Sequence, residues 1–229
     1  MKKHLFLLLC LYTSLHTYGQ KAYKLQSPDG NIQVSISLSD KIYYDVTYQQ
    51  DTLLKQCNLQ MELSNQELGN APKLAGVNKK SVDESLKPVI PLKYSTVANK
   101  YNQLLMKFKG DYSVEFRAFN DGIAYRFITN KKGMIEVNNE TFQVNFPENY
   151  LLHVQHPGGF KTAYEEEYKH IESKDWKSSD KMALLPILID THKDYKILIS
   201  ESDLADYPAL FLKSNGNNGM FSVFPKVPL

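Results

Sequence analysis

The run Ile32-Gln33-Val34-Ser35-Ile36-Ser37-Leu38-Ser39 alternates apolar and polar residues without a fault. Side chains on an extended chain point to opposite faces in turn, so this run has one face to bury and one to wet, and a helix cannot present it that way. A turn, Ser27-Pro28-Asp29-Gly30-Asn31, precedes it, and a second run from Ile42 to Tyr48 follows across Ser39-Asp40-Lys41. Tyr112 to Ala118 and Ile123 to Ile128 repeat the theme around Asn120-Asp121-Gly122. Asp-Gly between two alternating runs is a strong hairpin signal. Leu59–Leu63, Phe142–Phe146, Leu184–Asp190, Lys196–Glu201, Ala209–Lys213 and Met220–Phe224 read as further strands. The 15 Tyr and 11 Phe suit a pleated, half-buried surface.

No long run has a clean helical period. Segments 79–90 and 165–175 read as short helical turns, and the polar stretches 64–100 and 147–182 as long excursions from the sheets. The expected fold is all-β: a large antiparallel β-sandwich, or super-sandwich, with long loops and few short helical turns, spanning residues 20–229. A chain of 229 residues, 42% hydrophobic and 23% charged, suffices for one such domain and excludes a disordered or fibrous chain.

The first 19 residues read as a leader. Met1-Lys2-Lys3 is a basic start, Leu5 to Tyr12 is a short apolar run, and Gly19 offers a small residue for cleavage. The run is far short of the ~20 residues a membrane span needs. Cys10 is not a lipoprotein cysteine, because bulky Leu9 stands where a small residue is required. Removal of the leader takes Lys2 and Lys3 with it and leaves 25 basic against 25 acidic residues. With no basic excess and no basic run, nucleic acid is excluded as the expected partner. Cys57 would be the one remaining cysteine, so the fold is not a disulfide scaffold. Export, with the periplasm as destination, is the expectation.

Most chemical signatures are missing: there is no phosphate-binding Gly-rich loop, His-Glu-x-x-His, Gly-x-Ser-x-Gly or Cys-x-x-Cys. Ser178-x-x-Lys181 matches an acyl-transfer pattern only formally, because it lies in a polar stretch rather than at a helix start. His153 and His156, three apart, would point to opposite faces of a strand and could not share a metal without a bend. Glu165-Glu166-Glu167 reads as a solvated acidic face, Asn120-Asp121-Gly122 as a turn rather than a calcium loop, and Asn139-Glu140-Thr141 fits a glycosylation acceptor. Glu201 stands apart. It ends the apolar strand Lys196–Ser200 and leads into Ser202-Asp203-Leu204, with Asp206-Tyr207-Pro208 beyond. A carboxylate at a strand end sits on the rim of a sandwich, where a ligand or partner domain can reach it. A turn with caps is the plain alternative.

These pieces together resemble the N-terminal domain of glycoside hydrolase family 97, exported bacterial α-glucosidases and α-galactosidases. The resemblance rests on Ser27-Pro28-Asp29-Gly30, Ser81 to Val89, Asn99-Lys100-Tyr101-Asn102, Val114 to Phe127 and Ser200 to Pro208, and covers nearly all of residues 23–229. It implies a β-sandwich followed by a (β/α)₈ barrel that carries the catalytic carboxylates. A barrel needs roughly 250 residues, so none fits in this chain, which reads as cut before it. No catalytic residue is therefore expected here, and the chain alone should be inactive.

The resemblance further implies a calcium ion between sandwich and barrel. Glu201 would lend it one carboxylate and the barrel the others, since calcium takes six to eight oxygens. Tyr207 and Trp176 are the residues then expected near substrate, although the one Trp reads more readily as buried structure. Where the family often carries Trp the chain has Leu86, and it lacks another large residue near Ile90-Pro91, which puts the substrate class in doubt. The rival expectations are a stand-alone carbohydrate-binding or adaptor module and a structural envelope protein.

Overall fold

A computed structural model describes residues 22–205 and 207–226. The leader expected over residues 1–19 lies outside the described residues. Sixteen strands form in chain order among the described residues: β1 (Tyr23–Gln26), β2 (Ile32–Leu38), β3 (Ile42–Tyr48), β4 (Asp51–Leu63), β5 (Gln66–Leu68), β6 (Leu74–Leu86), β7 (Val97–Phe108), β8 (Tyr112–Phe119), β9 (Gly122–Thr129), β10 (Val137–Asn145), β11 (Leu151–Val154), β12 (Lys169–Glu172), β13 (Ile187–Asp190), β14 (Lys196–Ile199), β15 (Phe211–Ser214) and β16 (Gly219–Val223). The expected all-β, antiparallel fold is present. The expected helical turns are not: residues 79–86 belong to β6 and residues 169–172 to β12.

The strands make three sheets. The first is ordered β1-β2-β3-β4-β10-β16-β15, with β5 also on β4; the second is β6-β7-β8-β9; the third is β12-β11-β13-β14. The alternation in β2 sets its burial, with Ile32, Val34 and Ile36 buried and the residues between them half-buried. β3 repeats this with Ile42, Tyr44 and Val46, paired so that Ile36 faces Tyr44 and Val34 faces Val46. The second sheet packs on this face through Phe116, whose ring centroid is 6.0 Å from Tyr44, and through Tyr125, stacked 5.9 Å from Phe142. The third sheet joins the same core through Leu152, Ile187 and Ile189.

The stretch 64–100, expected as an excursion, instead holds β5, β6 and the start of β7. The last two pair continuously from Val77–Met106 to Leu86–Val97; β7 buries Tyr101, Leu104 and Met106, whereas β6 is largely exposed on both faces. With no face to bury, its sequence Leu-Ala-Gly-Val-Asn-Lys-Lys-Ser-Val-Asp-Glu-Ser-Leu carries no period-2 apolar signal. The hairpin tip holds exposed Ile90 and Leu92, and Leu86 is 47% exposed.

Cys57 on β4 is fully buried, and its Sγ accepts the Asn145 N–H at 3.4 Å. Burial pushes the thiol up to about 12. A thiolate is the reactive form, so iodoacetamide should leave Cys57 unlabelled in the native chain and modify it in urea. Labelling at Cys57 in the native chain, read by peptide mass, would contradict this burial.

Candidate functional site

Between β9 and β14 a cleft of about 1040 Å³ opens over the first sheet. Both flanking strands end their sheets. Tyr44, Val46, Met61 and Phe142 line the apolar part, while Glu140, Glu201 and Tyr207 line it with polar groups.

Glu201 follows β14 by two residues, and its position comes from a backbone tether. The Leu210 N–H donates to both carboxylate oxygens, at 3.0 Å each. This ties the β14 end to the approach to β15 and fixes the side chain at the rim. Burial raises the Glu201 carboxyl above its ordinary range; the Leu210 N–H opposes the shift and the Glu140 carboxylate adds to it. Among the described residues no ion pair reaches Glu201.

Tyr207, the second expected residue, shares this cleft. Its hydroxyl donates to Glu140 Oε2 at 2.8 Å, and its ring meets Phe224 edge-on at 5.9 Å. Tyr125 donates to the other oxygen, Glu140 Oε1, at 2.9 Å. Burial raises both phenols, reinforced by the Glu140 charge. Glu140 is the site residue that the sequence reading missed. Phe142 and Val144 point into the core, and Glu140 continues their period-2 series, so a carboxylate on an inward position was the available signal.

A raised carboxyl changes stability in one direction. Its contribution is fully present below the ordinary pKa of 4.5 and is lost as pH rises through the higher folded value. Carboxyl-resolved NMR titration should put the Glu201 midpoint above 4.5. Glu140→Gln removes the like charge and should move that midpoint down. A midpoint unmoved by Glu140→Gln would show that the two carboxylates do not sense each other.

Trp176 is not a sugar platform. It is 1% exposed, in the core, with its ring 5.8 Å from His156. Its backbone is held by Trp176 N–H to Glu172 O, and its carbonyl accepts the Ser214 hydroxyl. His153 and His156 do diverge: His156 is buried with Nδ1 2.9 Å from Met182 O, while His153 faces outward. Glu165, Glu166 and Glu167 are all exposed. Ser178 and Lys181 are exposed and lie on no helix.

The β8–β9 hairpin brings a charged cluster to the same cleft. Glu115 is 5% exposed and accepts Arg117 Nε at 2.7 Å, with Arg126 Nε at 3.3 Å. Arg117 also lies over the Tyr101 ring, 4.7 Å from its centroid. β8 and β9 register Glu115 against Arg126, so the hairpin turn at residues 120–121 sets this contact.

The described residues thus form an all-antiparallel β-domain with a carboxylate-rimmed cleft. The chain matches the family described as "Glycosyl-hydrolase 97 N-terminal" over residues 25–227, and it belongs to that family. A retaining alpha-galactosidase of Bacteroides thetaiotaomicron is 35% identical across 100% of this chain, which spans 36% of that protein. A glycoside hydrolase family 97 enzyme of Pseudoalteromonas sp. strain K8, solved with acarbose, superposes with a TM-score of 0.78 at 22% identity, over 88% of this chain and 32% of the other. A beta-arabinopyranosidase superposes with a TM-score of 0.80 at 22% identity, over 90% of this chain and 36% of the other. The chain thus spans about a third of the length of these relatives.

Proposed function

We propose that this chain serves as the N-terminal domain of an exported, calcium-dependent, exo-acting α-glycosidase, an α-glucosidase or α-galactosidase. It packs on a catalytic barrel and lends Glu201 to a calcium ion at the junction. The observation that carries this reading is the Glu201 carboxylate: tethered at the cleft rim by Leu210, raised by burial, and beside a second carboxylate that repels it.

Glu140, Glu201, Ser202 and Asp203 bring oxygens of the kind calcium takes to this cleft, which Arg117, Arg126 and Lys196 also line. These oxygens do not complete a site. Among the described residues no group of three or more His, Cys, Asp or Glu converges to hold an ion. Glu201 would be the ligand and Glu140 its neighbour, with the remaining oxygens coming from the barrel. Bound there, the ion would supply positive charge that orients a barrel carboxylate or substrate hydroxyls. Tyr125 and Tyr207 hold Glu140 in place by donating to both its oxygens. Glycoside cleavage itself needs a pair of carboxylates around the scissile bond, and the proposal assigns both to the barrel.

A chimera tests this. The chain replaces the matching third of the B. thetaiotaomicron alpha-galactosidase, and calcium binding and hydrolysis are measured with and without Glu201→Gln. Calcium affinity should fall at least tenfold in the variant, with hydrolysis restored in part by excess calcium. Unchanged calcium affinity in an active chimera would overturn the assignment of Glu201.

A further inference from the structure

The third sheet carries a pair of histidines that the cleft does not use. His153 on β11 and His170 on β12 are direct cross-strand partners. Their Nδ1 atoms are 2.6 Å apart, with ring centroids at 4.7 Å and an interplanar angle of 76°. Both rings stand on the outer face. Leu152 and Val154, on either side of His153, are buried, and His170 is exposed. At that separation one nitrogen carries a hydrogen and the other accepts it. As it stands the pair therefore holds one free lone pair, and two Nδ1 lone pairs lie side by side at the sheet surface only when both rings carry their hydrogen on Nε2.

We propose that His153 and His170 form a surface site for a borderline divalent transition-metal ion, with Zn²⁺ and Ni²⁺ as the probe ions. Neutral imidazole suits such ions, whereas calcium selects oxygen. The geometry needs little change. Two nitrogens each about 2.0–2.1 Å from one ion are about 2.9 Å apart at a right angle and about 3.3 Å apart at a tetrahedral angle. The rings must open by a few tenths of an ångström to reach the lower value. The donor ring moves its hydrogen from Nδ1 to Nε2 through solvent, so that both Nδ1 lone pairs face the ion, and the neutral pair releases no net proton. Two protein ligands leave the other positions to water, consistent with no third His, Cys, Asp or Glu converging on the pair among the described residues. The expected affinity is micromolar, not that of a closed structural site.

The ion would act as a clip. β12 is the end strand of its sheet and pairs only with β11. It follows residues 155–168, which carry no strand. Joining His153 to His170 pins that strand to its neighbour. Another candidate ligand group on this face, the His192–Glu172 contact at 3.7 Å, pairs a ring with a carboxylate and stays separate from the clip.

Calorimetry on the untagged chain tests the site, with Zn²⁺, Ni²⁺ and Ca²⁺ chlorides as titrants. Zn²⁺ and Ni²⁺ should bind one per chain and Ca²⁺ should not compete. His153→Asn and His170→Asn should each weaken Zn²⁺ binding at least tenfold, whereas His192→Asn should leave it unchanged. Both ring positions face solvent, so circular dichroism should show the variants folded. Saturating Zn²⁺ should raise the melting midpoint by ~5 °C in the wild type and not in the two variants. The proposal is overturned if the wild type binds no Zn²⁺ at ~1 mM, if either single variant binds as tightly as wild type, or if His192→Asn alone abolishes binding. Because calcium at Glu201 plays no part in this measurement, its outcome stands apart from that of the chimera.

Discussion

Trp176→Ala is expected to cost about 4 kcal/mol of stability. The side chain is 1% exposed and heads the fully buried set by volume. Its ring packs against His156 of the segment before β13, whose Nδ1 meets Met182 O, while main-chain bonds to Glu172 O and from the Ser214 hydroxyl hold the backbone that carries it. Truncation leaves a cavity there, and rigid strands on several sides limit collapse. For a domain of this size the melting midpoint should fall by roughly 10 °C. Urea unfolding, followed by circular dichroism because the substitution removes the only tryptophan, gives the free energy directly. A loss below about 1 kcal/mol would mean that the site collapses freely. Trp176→Phe should recover much of the loss, since the indole N–H has no acceptor to forfeit.

Gly69→Ala is the second large effect, expected at about 3 kcal/mol. Gly69 has φ +83°, and a Cβ there would sit 2.7 Å from the Leu59 carbonyl oxygen. Backbone cannot swing aside as a side chain can. The Gly69 N–H also donates to the Tyr112 hydroxyl at 3.1 Å, linking the β5 end of the first sheet to β8 of the second. Gly30→Ala is the control: φ is +78°, yet nothing lies within 4 Å of the added carbon. Its cost should be about 1 kcal/mol, for the left-handed backbone alone. Equal midpoint shifts for the two variants would show that the Leu59 contact relaxes.

Where burial and alternation coincide, the sequence was readable. β2, β3 and the β8–β9 hairpin lie where their period-2 runs place them, since one face of each meets the core. β6 was not readable because both of its faces meet water, and polar residues on both sides look like a loop. β12, four residues long with only Ile171 turned to the core, was hidden for a related reason. At the site, Glu201 was legible as a carboxylate closing an apolar strand, and Tyr207 does share its cleft. Glu140 was marked only by its inward register, because its part depends on Tyr125 of β9 and Tyr207 of the segment before β15 reaching it in the fold. Of the two readings open for Trp176, a sugar platform and buried structure, the second was the readier one, and the residue is core.

The end strand β9 has a practical consequence for anyone handling the chain alone. Its eight residues, Gly122 to Thr129, carry a single charge, Arg126. An end strand offers unpaired amides and carbonyls to any extended peptide, and natural proteins usually guard such edges with several charges, a proline or a bulge. Here the guard is sparse and the cleft beside it is partly greasy. In concentrated solution the isolated chain is therefore expected to self-associate through this seam.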